Sequence, residues 1–483
     1  APAKPVTTPV APTPATPAAH PGTRTHAVII GGSVAGLLTA RVLAEYFDQI
    51  TIVERDQYPD KPEPRKSVPQ AIHLHNMVTQ GWTIMEQLFP HLGNQLLEAG
   101  ATTIHWPADL LWLGRTGWSP RFDAGIKTYS CQRPLLEWTI QQRVTNSPRV
   151  HCIQNHRATQ LLWNANRTHV TGIRIQPTGT NGNQNDATTN TTDIHANLVV
   201  DTSGRMSQTP QWFAEVGYPQ PRYEIIKAYV GYGTRHYRTP PGTALPNWKV
   251  LLQQSRPPHL NRAAGLFQVE NNQWVLTLVG MGSDNHPPTD EAGFNQFMQT
   301  LPDSSLYDFI QTLEPISPIY QYRVPQNRLI HYEEMSRWPQ QFITLGDAVC
   351  LFNPVYGHGI SVVAQSVVAL EQCLYQHFQN HAPDNLTGLS RTFQRKLAGV
   401  LDTPWQFTVG EDLRYPTTEG SDRTIATNML HWFLDGVMMH AIDSPAAHRQ
   451  LIRVMHLLDP PTAFLRPDIL INALIKNLEH AFD

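Results

Sequence analysis

Between positions 346 and 360 the chain gathers a carboxylate at Asp347, a phenol at Tyr356 and an imidazole at His358, set among Gly346, Pro354, Gly357 and Gly359. The residues before them, Phe342 to Leu345, read as a buried strand that breaks at Gly346-Asp347. Beyond Pro354 and the two later glycines, Ile360, Val363, Ala364, Val367, Leu370 and Leu374 recur at helical spacing. Asp347 is thus placed at a strand end beside a helix N-terminus. A carboxylate there can accept from the hydroxyls of a polyol, while the free N–H groups and the dipole of the helix favour negative charge on a delocalised ring. Tyr356, His358 and, from elsewhere in the chain, His73 are the candidate catalytic side chains. No two of them have the spacing of an acid–base pair.

A second constellation lies near the amino end. His26 to Ile30 reads as a buried strand, followed by Gly31-Gly32-Ser33-Val34-Ala35-Gly36 and a helix with apolar Leu37, Ala40, Leu43, Ala44 and Phe47. A further strand, Ile50 to Val53, ends in Glu54, 18 residues beyond Gly36. Strand, glycine turn, helix, strand and acid make a dinucleotide fingerprint. Gly31 makes the tight turn, Gly36 allows close helix packing, the pyrophosphate rests on the helix N-terminus and a ribose hydroxyl on Glu54. Ser33 stands where the middle glycine is usual; it crowds the phosphate approach, but its hydroxyl can donate to a phosphate oxygen. Arg55 follows the acid and joins the candidate set. Pro134 suits a first helical position, which puts Arg133 at the N-cap. Its charge opposes the helix dipole there, and a phosphate would resolve the conflict.

The elements around these residues fall into three regions. Tyr58 to Gln70 is rich in proline and charge and reads as a loop; the segment from Val68 to His75 is expected to open a helix. Arg157 to Val200 reads as strands around a polar tip from Pro177 to Asp193. Tyr223 to Arg238, Trp248 to Gln253, Leu266 to Glu270, Trp274 to Met281 and Tyr320 to Ile330 read as strands of an antiparallel sheet, with Asn271-Asn272 as a hairpin turn. A helical pair between Asp290 and Leu313 interrupts them. Tyr229, Tyr232, Phe267, Trp274 and Leu276 supply large apolar surface to core or pocket. From Leu386 onward the chain reads as helical, with Trp405, Phe407, Trp432, Phe433, Met438 and Met439 as buried candidates. His431, His440, His448 and His456 are too dispersed to form a ligand set, and His73 with His75 lacks a third ligand, so no metal is expected.

At 483 residues the chain is long enough for two or three lobes. Thirty-six basic against 39 acidic residues leave no basic excess pointing to nucleic acid or anionic lipid. Cys131, Cys152, Cys350 and Cys373 are scattered without C-x-x-C spacing, which indicates neither a disulfide framework nor zinc. No apolar run approaches the ~20 residues of a membrane span. Ala1 to Thr25, mostly Ala, Pro and Thr, is expected to be a disordered or polyproline-like tail. With no charged-then-apolar leader in view, a cytoplasmic location is expected.

Gly346-Asp347-Ala348 followed by Asn-Pro-x-x-Gly-x-Gly-Ile resembles the second FAD motif of class A flavoprotein monooxygenases, the aromatic hydroxylase family. Asp201-Thr202-Ser203-Gly204 resembles a D-A-T/S-G form found in flavin hydroxylases and geranylgeranyl-reductase-like proteins, with Thr202 in place of Ala. It departs from the D-G-x-x-S motif shared for FAD and NADPH. The resemblance implies an α/β fold, with a Rossmann-like FAD domain, an inserted antiparallel-sheet substrate domain and a helical C-terminal region. On this reading 26–210 and 339–380 build the FAD domain, 211–338 the substrate sheet and 381–483 the helices, after the tail 1–25. It adds Arg65, Arg133 and Asp201 to the cofactor residues read above: Gly31, Gly32, Ser33, Val34, Ala35, Gly36, Glu54, Arg55, Gly346, Asp347, Pro354, Gly357, His358, Gly359 and Ile360.

The activity so implied is NAD(P)H-dependent oxygenation of an apolar or aromatic small molecule through a flavin C4a-hydroperoxide, with FAD as cofactor and oxygen as co-substrate. The same motifs resemble those of FAD-dependent double-bond reductases and redox-neutral cyclases of the geranylgeranyl-reductase and lycopene-cyclase kind. Oxygen uptake separates the two readings. A flavin halogenase is disfavoured because the chain has no W-x-W-x-I-P segment. A non-enzymatic nucleotide-binding module leaves the Gly346-Asp347 loop without a purpose.

Overall fold

The computed structural model describes residues 25–178, 191–324, 326–382 and 384–482. The expected tail lies outside these except for Thr25, whose backbone N–H and hydroxyl donate to Asp48 at 2.8 and 3.1 Å. Thr25 is thus part of the body. Most of the polar tip also lies outside the described residues. Its expected ends do not: Pro177 closes the strand Val170–Pro177, and Asp193 lies in Thr192–His195, antiparallel to it and bonded to Arg174.

Five short strands form a parallel sheet in the order Phe342–Thr344, Leu198–Asp201, His26–Ile30, Gln49–Val53 and Val150–Ile153. Most of their residues are apolar and buried, as strands covered on both faces require. The helices Val34–Leu43, Arg133–Thr145 and Gly359–Phe378 pack on the sheet and on one another through the largest core. Residues far apart in the chain meet as a consequence. The glycine turn follows His26–Ile30, Thr202 follows Leu198–Asp201, and Gly346-Asp347 follows Phe342–Thr344, so three motifs stand at the carboxyl ends of three adjacent strands. Crevices outside such ends are where open α/β sheets bind ligands.

The second large sheet has eight strands, and all but one of its pairings are antiparallel. The exception is Val250–Gln253, which runs parallel to Leu110–Gly114. That strand and Gly117–Trp118 come from within the stretch expected to belong to the FAD domain, so the second sheet draws on both sides of the expected boundary. Two expected strands are each divided. Arg222–Ile226 and Asn327–His331 pair in a separate small sheet, while Val230–Arg238 and Tyr320–Val324 belong to the large one. The first break has a physical cause: Lys227 exchanges backbone hydrogen bonds with Glu419 of the tail, and Tyr229 takes a left-handed φ of 50°. Asn271 and Asn272 form the hairpin turn with φ of 57° and 54°. The helical pair is Glu291–Gln299 and Ser305–Ile310. Trp274 and Leu276 are core, and Phe267 and Tyr232 are buried.

The helix expected at Val68 to His75 is a single 3-10 turn, Pro69–Ile72. His73 is extended and its imidazole bonds to Thr234 of the large sheet at 2.8 Å, which draws the chain inward before a second turn can form. The C-terminal region folds as Leu389–Asp412, Ile425–Asp443, Pro445–Met455 and Pro467–Phe482. Trp405 is buried there, whereas Trp432, expected inside, is 44% exposed. Phe407, Phe433, Met438 and Met439 are half-buried. Among the described residues no helix is long and apolar enough to cross a membrane.

Candidate functional site

The glycine turn is shaped by close approach. Gly31 has a φ of 96°, and a Cβ on Gly36 would stand 1.9 Å from the carbonyl oxygen of Gly31. The helix Val34–Leu43 is therefore seated on the turn, with no acidic residue in its first turn to compete with an anion. Glu54 is enclosed behind it. Its carboxylate accepts from the N–H groups of Gly32 and Asp56 at 2.8 and 2.9 Å and lies 3.1 Å from Arg65 Nη1. Arg65 also pairs with Glu137 and lies over the ring of Tyr58 at 5.3 Å. Burial pushes Glu137 up, but Arg133 and Arg65 outweigh it and hold the carboxyl below its usual range. Arg65, implied as a flavin contact, is thus a buried counter-ion between Glu54 and Glu137. Arg55 is exposed and donates to the carbonyl of Ser67 at 3.1 Å.

Arg133 is the first residue of its helix rather than the N-cap, which is Gln132, with Pro134 second. Its guanidinium donates to Ser33 Oγ at 3.1 Å and to Glu137 at 3.2 Å, and faces His75 Nε2 at 3.3 Å. Burial, then Arg133, lowers the pKa of His75 to about 3, so the imidazole is neutral and can accept from Arg133. Asp201 is fully buried, and its carboxylate accepts from Ser203 N–H, Ser203 Oγ, Ser207 Oγ and Thr209 Oγ1 at 2.5–2.9 Å. It shapes its own loop, which presents Arg205 with Nη1 3.0 Å from Tyr322 Oη.

Asp347 differs from both acids. Among the described residues nothing donates to its carboxylate; the one bond at this residue runs from Arg328 Nη2 to its backbone oxygen at 3.1 Å. Burial raises its carboxyl, and the charges of Arg133, Arg328 and Arg205 pull it back. An acceptor without a donor, in the field of three guanidinium groups, remains at the strand end. Beside it, Pro354–Tyr356 make a 3-10 turn closed by Gly357 at a φ of 68°, and the long helix starts at Gly359, two residues later than Gly357. A Cβ on Gly359 would meet nothing within 4 Å, so the space over this backbone is open.

The three catalytic candidates separate. His358 is the N-cap of the long helix, but its ring lies 5.3 Å from that of Phe407 in the tail; burial lowers its pKa to about 4. Tyr356 also faces the tail, donating to Asp412 at 2.7 Å. His73 stays beside the arginines, its ring 5.2 Å from that of Tyr322. Its Nδ1 engages Thr234, its buried Nε2 has no partner among the described residues, and burial, then His236, lowers its pKa to about 4.

Sequence reasoning missed Arg205, Arg328 and Tyr322, which no motif marks apart from Arg205 following Gly204, and it missed Asp412. That last residue is fully buried, with Asn327, Asn353 and Tyr356 donating to its carboxylate. In sequence it follows Glu411 and stands two positions before Arg414, which reads as a solvated helix end. Together the strand ends can hold an anion at Ser33 and Arg133 and accept hydroxyls at Asp347, with open space beside Gly359.

No family model matches the chain. Protein Rv3254 of Mycobacterium tuberculosis is 30% identical over 359 residues, which span 72% of this chain and 73% of that protein. Among solved structures, a flavoprotein/dehydrogenase from Cytophaga hutchinsonii superposes with a TM-score of 0.65 at 13% identity, covering 95% of this chain and 100% of its own. The flavin-dependent brominase Bmp2 superposes at 0.63 and 13% identity, over 94% and 100%. PqsL of Pseudomonas aeruginosa, a probable FAD-dependent monooxygenase, does so at 0.53 and 14% identity, over 79% and 100%. At these identities the likeness is one of fold, a mixed α/β fold shared with flavin-dependent enzymes.

Proposed function

The chain belongs to the family of protein Rv3254 of Mycobacterium tuberculosis, and from its site we propose that it is an FAD-dependent oxidoreductase. The observation that carries the reading is the carboxylate of Asp347, to which nothing donates among the described residues, set beside a glycine turn whose helix has no acidic residue in its first turn. The residues fit the cofactor. Ser33, the N–H groups of Val34 and Ala35, and Arg133 would hold the pyrophosphate; Asp347 would take the ribityl hydroxyls; the backbone at Gly359 and Ile360 would lie against the ring. The fit is tightest at Glu54, where a ribose hydroxyl would join the Gly32 N–H and Arg65.

Within this class the reading is an NAD(P)H-dependent monooxygenase acting on an apolar or aromatic small molecule. Bound FAD supplies the passage of electrons from NAD(P)H to oxygen. The chain's own part is to bind, to orient and to exclude water. Burial lowers the pKa of His73 to about 4, so the ring is neutral at pH 7 and, with Nδ1 engaged with Thr234, would serve to orient a polar group at Nε2 rather than to take up a proton.

The test is the spectrum of the purified protein, followed by oxygen uptake with NADH or NADPH and a panel of aromatic compounds. Flavin absorption after reconstitution, with oxygen consumed in proportion to oxygenated product, supports the proposal. A protein that takes up no flavin sinks the oxidoreductase reading. One that takes up flavin and turns over without oxygen moves it to the reductase class.

A further inference from the structure

We propose that Asp412 is a positioning residue: it fixes the turn at 353–357, and with it the backbone against which the flavin ring rests, so the helical tail governs how the ring is held. This rests on the FAD reading above. Asp412 ends the helix Leu389–Asp412 and is 0% exposed. Its Oδ1 accepts from Asn353 Nδ2 at 3.0 Å and from Tyr356 Oη at 2.7 Å, so one oxygen holds both shoulders of the turn. Its Oδ2 accepts from Asn327 Nδ2 at 2.6 Å, and Asn327 Oδ1 in turn takes the backbone N–H of Asn353. The remaining oxygen of Asn353 receives Val355 N–H at 3.2 Å and Tyr232 Oη at 3.3 Å. The network ties strand Asn327–His331, strand Val230–Arg238, the turn and the tail helix through one carboxylate.

The chemistry of the group explains the residue type. Three donors converge, and an ionised carboxylate accepts without donating, whereas an amide would turn N–H groups toward at least one of them. Among the described residues no cation pairs with Asp412; Arg115 and Arg414 pair with the adjacent Glu411 at 2.8 and 3.1 Å. Charge balance at the end of the helix is thus Glu411's part. The open face of Gly359 begins just beyond the turn so fixed.

The test uses the full chain and three variants, Asp412→Asn, Asp412→Glu and Tyr356→Phe. Four quantities are read: FAD dissociation constant, absorption spectrum of bound flavin, midpoint potential and melting temperature of the flavin-free protein. Asp412→Asn is expected to weaken FAD about tenfold and to shift both spectrum and potential. Asp412→Glu is expected to recover part of each, and Tyr356→Phe to move them the same way by less. Should Asp412→Asn fail to fold, Tyr356→Phe decides. Flavin spectrum, potential and affinity like wild type in the folded variants, whatever the melting temperature, would overturn the inference and leave Asp412 a structural residue. A wild-type protein that binds no FAD would instead remove the FAD reading and this inference with it.

Discussion

Arg133 and Ser33, 100 residues apart in the chain, are joined by a hydrogen bond of 3.1 Å from the guanidinium to the hydroxyl. The serine that replaces the middle glycine of the turn therefore has a cation beside it, and the crowding it brings to a phosphate comes with a charged donor. Arg133→Met is expected to weaken FAD by about 1.5 to 3 kcal/mol, or roughly one to two decades. Ser33→Gly, which removes the hydroxyl and the crowding together, is expected to change affinity by less. Fluorescence titration of both variants checks the ordering; a larger loss from Ser33→Gly would place the phosphate on the hydroxyl instead.

Asp347→Ala should separate binding from folding. Among the described residues nothing donates to its carboxylate, so the flavin-free melting temperature is expected to hold or rise. FAD affinity is expected to fall by about one to two decades through loss of a charge-assisted bond. Unchanged affinity would remove Asp347 from the ribityl chain.

Glu54→Gln is expected to behave in the opposite way. Glu54 and Arg65 form a buried pair with side chains 5% and 6% exposed, and breaking such a pair costs about 3 to 5 kcal/mol. Glu137 still holds Arg65, which limits the loss. Thermal unfolding without flavin should show a clear drop, with FAD affinity falling alongside it. A variant that loses affinity at wild-type stability would show that Glu54 acts through the ribose alone.

Gly357→Val and Gly359→Val are not equivalent. Gly357 has a φ of 68°, where a β-branched residue is strained whatever the ligand, while a Cβ on Gly359 enters open space. Gly359→Val is thus the cleaner probe. It is expected to leave the fold intact, slow flavin reduction by NAD(P)H and raise peroxide release. Wild-type flavin content, reduction rate and coupling in this variant would move the ring away from the turn.

Stability is expected to depend on pH through two neighbours with opposite signs. Burial pushes Asp412 up to about 6 despite its donors Tyr356, Asn327 and Asn353; Glu411 adds to the rise, and Tyr232 and Tyr415 are the other titratable groups close by. A raised carboxyl favours the native state most below the unfolded value, 3.8, and loses that contribution as pH rises through 6. Glu411 is held down to about 2 by Arg115 and Arg414 against its burial, so its contribution is present above 4.5 and lost as pH falls through 2. The stability of wild type relative to Asp412→Asn should therefore fall by up to about 3 kcal/mol between pH 4 and pH 7. Denaturant unfolding across that range checks this, and a flat difference would contradict it.

Four strands of the parallel sheet and their turns were legible because short apolar runs ending in Gly31, Glu54, Asp201 and Gly346 carry local signals at fixed spacing; the fifth strand, Val150–Ile153, was not. Nor was the division of Tyr223 to Arg238, since the break depends on backbone bonds with Glu419, almost 200 residues on. Leu110–Gly114 joins the second sheet through a parallel pairing that neither strand announces. The acids show the same limit. Asp201, Glu54 and Asp347 look alike at strand ends, yet two are enclosed by donors and one is not, a distinction that depends on Ser207, Thr209 and Arg65 folding over them. Asp412 had no signal because its donors come from two distant elements, the strand Asn327–His331 and the turn at 353–357.

The order of strands in the parallel sheet bears on how the chain is made. Leu198–Asp201 lies between His26–Ile30 and Phe342–Thr344, and the helix Gly359–Phe378 packs against Val34–Leu43. Until about 345 residues have been synthesised Leu198–Asp201 lacks its outer neighbour, and until about 380 the first helix lacks its cover. Pairings this distant in sequence close slowly, and an apolar edge left waiting is prone to wrong partners. C-terminal truncations that spare every nucleotide residue before 340 should therefore aggregate, and slower translation of the first half should not rescue them.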